Sequence, residues 1–250
     1  MEEPQIAVVA PLARELTAFR RGLHRIRVLR RAGHRWTVGH AGETAVLTAV
    51  LGDGRQRAEA TLGTLFTNFH LRHILLLGVA GGLDPSLKVG QVVAAARVFD
   101  GEHPAPPPDP AGLAAMTTLG IPTAAVITVP RIVTRPRDKA RLWQNLGGER
   151  PAVVDLESAA LAHAAATAGV PYLILRAVSD GAHDTLPPFL ARCQRTDGST
   201  NQAKVALAAL LSPRSIPELL RLRRRVERCS AALANTAQNW LAPVDRLLKQ

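Results

Sequence analysis

Short apolar runs alternate with amphipathic or alanine-rich stretches through most of the chain, and that alternation predicts the elements. Gln5 to Ala10 reads as a buried strand by its apolar run. Pro11 breaks it, and Leu12 to Leu23 has helical spacing. Arg35 to His40 and Ala45 to Leu51 read as an antiparallel hairpin turned at Ala41, Gly42 and Glu43. His73 to Leu77, Gln91 to Phe99 and Ala124 to Val129 predict further strands, with a short helix over Leu113 to Leu119. Ala152 to Val154 is apolar, Glu157 to Ala168 is rich in alanine and leucine, and Tyr172 to Val178 is again strand-like. Gly169 and Pro171 stop the helix between them. This strand, helix, strand unit predicts two parallel strands. Glu157 and Asp180 each follow the carboxyl end of one of them, where open α/β sheets bind ligands. Two carboxylates are therefore expected in one crevice. The expected fold class is α/β, with a mixed twisted central sheet flanked by helices and a C-terminal helical extension.

The extension changes the picture through its charge. The chain of 250 residues carries a formal net charge of +11. Arg214, Arg221, Arg223, Arg224, Arg225 and Arg228 share a segment whose Ile216, Leu219, Leu220, Val226 and Leu233 recur at helical spacing. Residues 1–212 are read as the catalytic domain and 213–250 as a basic amphipathic helical tail, with Gln202 to Leu211 and Ile216 to Ala234 helical and Trp240 to Gln250 loose. Such a helix either docks on the core by its apolar stripe or lies on anionic lipid. Nucleic acid is set aside as a partner, because 4% aromatic content leaves few stacking platforms and no recognised motif is present. At 47% hydrophobic content the core needs neither disulfides nor metal. Cys193 and Cys229 lack metal-ligand spacing, so both read as bystanders and no metal is expected. No apolar run approaches the roughly 20 residues of a membrane span. The acidic start, MEEPQIAVVAP, is the reverse of a secretory signal, and a cytoplasmic protein is expected.

Two glycine-rich stretches suggest chemistry. In LGDGRQRAEATLGTLF, Gly52 and Gly54 permit a tight turn, and the helix beyond offers free N–H groups to an anion. Gly54, Arg55 and Arg57 are the candidate phosphate-binding residues, although turns before helices are common. In GVAGGL, Gly78, Ala80, Gly81 and Gly82 leave little bulk at an expected turn, so a ribose or base can approach the backbone. This is not the GxGxxG pattern, and no acid follows at the required distance, so a nicotinamide cofactor is rejected. No cofactor is expected at all. GEHPAPPPDPAG is a proline-rich surface loop suited to substrate-specific variation. His183 and Asp184 read either as a polar loop or as a catalytic pair, and His163 as a packed or rim residue.

VVDLESAALAHA followed by VPYLILRAVSD resembles the signature of the nucleoside phosphorylase and nucleosidase family. IAVVAPLAREL and LLLGVAGGLDPSLKVGQVV match in the same order, so the resemblance covers roughly residues 5 to 190. It is similar in particular to the methylthioadenosine/S-adenosylhomocysteine nucleosidase branch. LPPFLARCQRTDGSTN and the basic tail resemble the hopanoid-associated phosphorylase subgroup, which removes adenine from adenosylhopane. The resemblance implies a three-layer fold and cleavage of a purine nucleoside substituted at the 5′ position. It also implies a homo-oligomer, with inorganic phosphate as the acceptor in the phosphorolytic branch. It assigns Glu15 to the attacking water, and it places Asp155, Leu156, Glu157, Ala80, Gly81, Arg176 and Ser179 about the substrate. Ile132 and Val133 fall over the purine, where the family has an aromatic and an aliphatic residue. Val79 replaces the usual serine, and loss of that hydroxyl favours water as acceptor or a rearranged anion site.

The chemistry accounts for the acids. Breaking a ribosyl C1′–N9 bond builds positive charge on the sugar and negative charge on the departing purine. A protonated Asp180 near N7 neutralises the leaving group, and Glu157 holds the ribose hydroxyls and favours the cationic sugar. Taken singly, each has a plain alternative. Asp180 can cap a helix, and Glu157 or Glu15 can complement a helix dipole. Outside this class, a noncatalytic nucleoside-binding or membrane-associated module would also fit the fold.

Overall fold

Wholly apolar runs become central strands here because helices cover both faces of the sheet. The computed structural model describes residues 3–148, 151–193 and 216–247. The strands are β1 (Ile6–Ala10), β2 (His24–Arg31), β3 (His34–Ala41), β4 (Thr44–Val50), β5 (His73–Gly82), β6 (Val92–Asp100), β7 (His103–Pro104), β8 (Thr123–Thr128), β9 (Ala152–Asp155) and β10 (Tyr172–Asp180). The helices are α1 (Ala13–Arg21), α2 (Arg55–Asn68), α3 (Pro110–Thr118), α4 (Pro136–Asn145), α5 (Ser158–Ala168), α6 (Phe189–Arg192) and α7 (Ile216–Leu247). The expected helix over Gln202 to Leu211 and the basic Arg214 lie outside the described residues.

Alternation along β1 builds the layers. Ala7 and Val9 join Leu62 and Leu65 of α2 and Leu161 of α5 in one core cluster. Ile6, Val8 and Ala10 join Leu16 and Phe19 of α1 and Leu233, Ala237 and Trp240 of α7 in the other. A period of two in the strand thus feeds two helical layers, and the arrangement is the expected helix, sheet, helix stack.

β5 lies parallel to both β1 and β10. β10 runs antiparallel to β6, which continues in parallel through β8 to β9. β9 returns to β5 in antiparallel sense at Gly81 and Gly82, which closes a ring of β5, β10, β6, β8 and β9. β1, β4, β3 and β2 extend the sheet from β5 to the edge. The expectation of two parallel strands around α5 is therefore corrected. β9 and β10 are not neighbours, and their pairings with β5 give them opposite directions. Ring closure inserts β5 between them on one side, so the connecting helix does not make a local βαβ pair.

The C-terminal segment also departs from expectation. α7 is a single helix, and from Cys229 onward its Leu233, Ala234, Ala237, Trp240 and Leu241 are buried in the core. Ser230 Oγ lies 3.1 Å from the carbonyl of Arg14 and 3.0 Å from that of Glu15. Trp240 and Leu241 are packed rather than loose. Among the described residues, no helix is long and apolar enough to cross a membrane.

Candidate active site

The end of β5 carries the site because its glycines let neighbouring side chains lie across it. Gly78 to Gly82 of GVAGGL belong to the strand rather than to a turn. A Cβ on Gly78 would stand 1.9 Å from Arg176 Nη1, and one on Gly81 would stand 3.2 Å from Asp180 Oδ2. The small residues thus make room first for protein groups, arginine and aspartate from β10.

Glu15 enters from the first turn of α1 and is almost fully buried. Its Oε2 accepts from the Leu12 amide at 2.9 Å and its Oε1 from the Val79 amide at 3.0 Å. Burial pushes its carboxyl above the usual range, against the pull of the Val79 amide and the nearby Arg176 guanidinium. Val79 therefore contributes its backbone N–H at the position where the resemblance leads one to expect a serine hydroxyl.

Glu157 stands at the start of α5, and its Oε1 accepts from the Gly54 amide at 3.0 Å. Its Oε2 is 3.9 Å from Arg176 Nη2. Burial pushes its carboxyl up to about 8, opposed by Arg176 and assisted by Asp155 and Glu15. Arg176 is fully buried. It pairs with Asp155 Oδ2 at 2.5 Å and donates to Ser158 Oγ from Nε at 3.3 Å and Nη2 at 3.1 Å. Its Nη1 is buried over Gly78 and has no hydrogen-bond partner among the described residues. A buried guanidinium edge with an open donor suits one small oxygen acceptor.

Asp180 closes β10, and its carboxylate is gripped from two sides. Ser179 Oγ donates to Oδ1 at 2.6 Å, and Lys139 Nζ lies 2.5 Å from Oδ2. Lys139 also donates to the Gly181 carbonyl at 2.6 Å and lies 3.4 Å from the Asp184 carbonyl. The lysine is fully buried and was not foreseen from sequence. Its signal was its place on α4, three, four and seven residues before Leu142, Trp143 and Leu146, on a face that should have been apolar.

Glu15, Glu157 and Asp180, with Arg176 and Ser179, thus gather around residues 78 to 81 of β5. Other candidates are placed differently. Asp155 is engaged by Arg176, by Thr128 Oγ1 at 2.8 Å and by Ser158, and so supports the arginine. The candidate phosphate-binding residues are engaged within the protein: the Gly54 amide serves the Glu157 carboxylate, and Arg55 forms two hydrogen bonds to Asp100. The stem of Arg57 lies against Gly52. Val133 packs against the cluster formed by Leu83, Ala125, Ile127, Ala152 and Val154, with Ile132 and Leu156 half-buried. Ala80 is buried, and its carbonyl is 3.3 Å from Ser179 Oγ. His183 is exposed, while Asp184 accepts from the Gly181 amide at 3.0 Å and from Arg225 of α7 at 2.8 Å, which marks the pair as loop structure. His163 is a rim residue 3.7 Å from Asp100.

The family described as the phosphorylase superfamily matches residues 5–212. The chain belongs to the phosphorylase superfamily. Among curated relatives, it is 25% identical over 229 residues to 5′-methylthioadenosine/S-adenosylhomocysteine nucleosidase of Pseudoalteromonas translucida, covering 82% of this chain and 96% of that one. The Colwellia psychrerythraea protein of the same name is 26% identical over 206 residues, covering 71% and 80%. Among solved structures, S-adenosylhomocysteine nucleosidase from Streptococcus pyogenes in complex with 5-methylthiotubericidin superposes with a TM-score of 0.76 at 18% identity, over 98% of both chains. Futalosine hydrolase of Helicobacter pylori gives 0.73 at 15% identity over 95% and 97%. These likenesses establish the fold.

Proposed function

We propose that this protein cleaves the N-glycosidic bond of a 5′-substituted purine nucleoside, releasing adenine, with water as the acceptor. The observation that carries the reading is the gathering of Glu15, Glu157 and Asp180 about the glycines of β5, with the Gly54 amide occupied by Glu157. A phosphate brought there would meet two carboxyl groups and find its expected donors engaged. A water molecule can instead accept from Arg176 Nη1 and donate to Glu15, whose raised proton affinity suits a general base. Glu157 would hold the ribose hydroxyls, and the positive charge growing on the sugar would favour its ionised form. Asp180 would serve the departing purine. Curated relatives named as nucleosidases support the same reaction class.

The test is adenine release from adenosine, 5′-methylthioadenosine and adenosylhopane, with and without inorganic phosphate. Free sugar formed at a rate indifferent to phosphate is expected. A strict phosphate requirement, with a sugar 1-phosphate as product, would establish phosphorolysis instead. Failure to free adenine from any of them would favour the binding-module reading.

For the 5′ group, a membrane-borne substrate such as adenosylhopane is favoured by the position of α7. Arg225 is held by Asp184, four residues beyond Asp180, so the basic half of α7 borders the site. Leu220, Arg221, Arg223, Arg224 and Arg228 are exposed there. An apolar side chain among arginines fits an anionic lipid surface.

A further inference from the structure

Resting on that reaction, we propose that the proton taken by the departing purine originates on Lys139 and reaches it through Asp180. Lys139 is then the positioning and proton-supplying residue behind the acid.

Both oxygens of Asp180 already accept hydrogen bonds, Oδ1 from Ser179 and Oδ2 from the Lys139 ammonium. An ammonium on one oxygen and a hydroxyl on the other surround the Asp180 carboxyl with groups that can hand it a proton. The nearest acidic hydrogen is on Nζ, 2.5 Å from Oδ2. Among the described residues no other carboxylate is bonded to Nζ. Its remaining acceptors are carbonyls, those of Gly181 and Asp184, which do not take up a proton. The carboxylate of Asp184 is turned to the Gly181 amide and to Arg225. The charged groups facing the lysine are therefore Asp180 from β10, Asp184 from the following loop and, behind it, Arg225 from α7.

The step balances. The C1′–N9 bond breaks and its electron pair stays with the purine. N7 takes a proton across Asp180 while Nζ gives one to the same carboxylate, leaving Lys139 as a neutral amine and Asp180 again ionised. Water forms the new bond to C1′ and passes its proton to Glu15. Release of that proton to solvent and uptake of one by Lys139 restore the starting state.

A leaving group that needs no proton separates this role from a structural one. Lys139→Met and Lys139→Arg would be assayed on 5′-methylthioadenosine and on the 4-nitrophenyl glycoside of 5-methylthioribose, with Asp180→Asn for comparison. Arginine can keep the ion pair but does not surrender its proton. The expected result is a fall in kcat of roughly 10²- to 10⁴-fold on methylthioadenosine for all three variants, with the nitrophenyl glycoside held within a few-fold. Equal losses on both substrates, or full activity of Lys139→Arg on methylthioadenosine, would overturn the assignment. Should the methionine variant lose its circular dichroism signature, the arginine variant carries the comparison. The unmodified protein supplies a second measurement: an alkaline limb in kcat is expected with methylthioadenosine and absent with the nitrophenyl glycoside, and a shared limb also overturns it. If the unmodified protein frees no base from methylthioadenosine yet cleaves the nitrophenyl glycoside, the assigned purine substrate fails rather than the role of Lys139.

Discussion

At the scale of single residues, Glu157 is the one whose burial has a measurable consequence for stability. Its carboxyl is pushed by burial from the ordinary 4.5 to about 8. Between those pH values the unfolded chain has released this proton while the folded chain still holds it. Stability is therefore fully present below 4.5, falls as pH rises toward 8 and levels off beyond. The slope from one such group is at most about 1.4 kcal/mol per pH unit. Glu157→Gln removes that contribution and keeps a hydrogen-bonding side chain opposite the Gly54 amide. Its melting temperature should fall less than that of the unmodified protein between pH 5 and pH 8.5. The slope should not vanish, because burial raises Glu15 in the same direction. Parallel curves would mean that Glu157 is already ionised in the folded protein. Glu15, Glu157 and Asp180 were legible from their places at the ends of strands and from family likeness. Lys139 was not, because a lysine in a charged stretch such as PRPRDKARLWQ reads as solvated. The engagement of Asp155 by Arg176 was not legible for a related reason. Its neighbour Glu157 lies at the site, and only the path of Arg176 decides which acid the arginine consumes.

Elements carry a different lesson. The strands of continuous apolar sequence were legible because burial on both faces demands that composition, as in β1, β5 and β10. β2 was missed. In HRIRVLRR the exposed Ile26 and Val28 alternate with arginines on an edge strand, and little of it is buried. Strand direction around α5 was not legible either, since it depends on ring closure through β5, a non-local pairing. α7 was read from its arginines, which dominate its first half, whereas its buried stripe of Cys229, Leu233, Ala237 and Trp240 mixes large apolar residues with small ones. Trp240 decides whether this helix is a tail or part of the core. It is 2% exposed and lies 5.1 Å from the His73 ring at the start of β5. Trp240→Ala should lower the unfolding free energy by about 3–5 kcal/mol, the cost of an emptied aromatic site. Urea unfolding measures it, and a loss below about 0.5 kcal/mol is what a loose surface segment would give.

For the whole molecule, one helix joins the core to the rim of the site. The second half of α7 is packed beneath the sheet, while its first half runs past Asp184 with its arginines in solvent. Any surface that attracts those arginines is drawn to the same edge of the molecule as Asp180. Each basic side chain near an anionic bilayer is worth about 1 kcal/mol, so a group of four adds up to a strong and salt-sensitive attraction. Truncating the segment cannot test this, because it would also remove core residues. Reversing charge on the exposed positions alone does test it: Arg221→Glu, Arg223→Glu, Arg224→Glu and Arg228→Glu together, leaving the Arg225 pair with Asp184 intact. In co-sedimentation with phosphatidylserine-containing vesicles, the bound fraction should drop by at least tenfold relative to the unmodified protein. Release of adenine from methylthioadenosine in solution should stay within a few-fold, since none of the four contacts the acids. Equal partitioning of the two proteins would leave the arginines as a solvated face and remove the membrane from the account of the 5′ substituent.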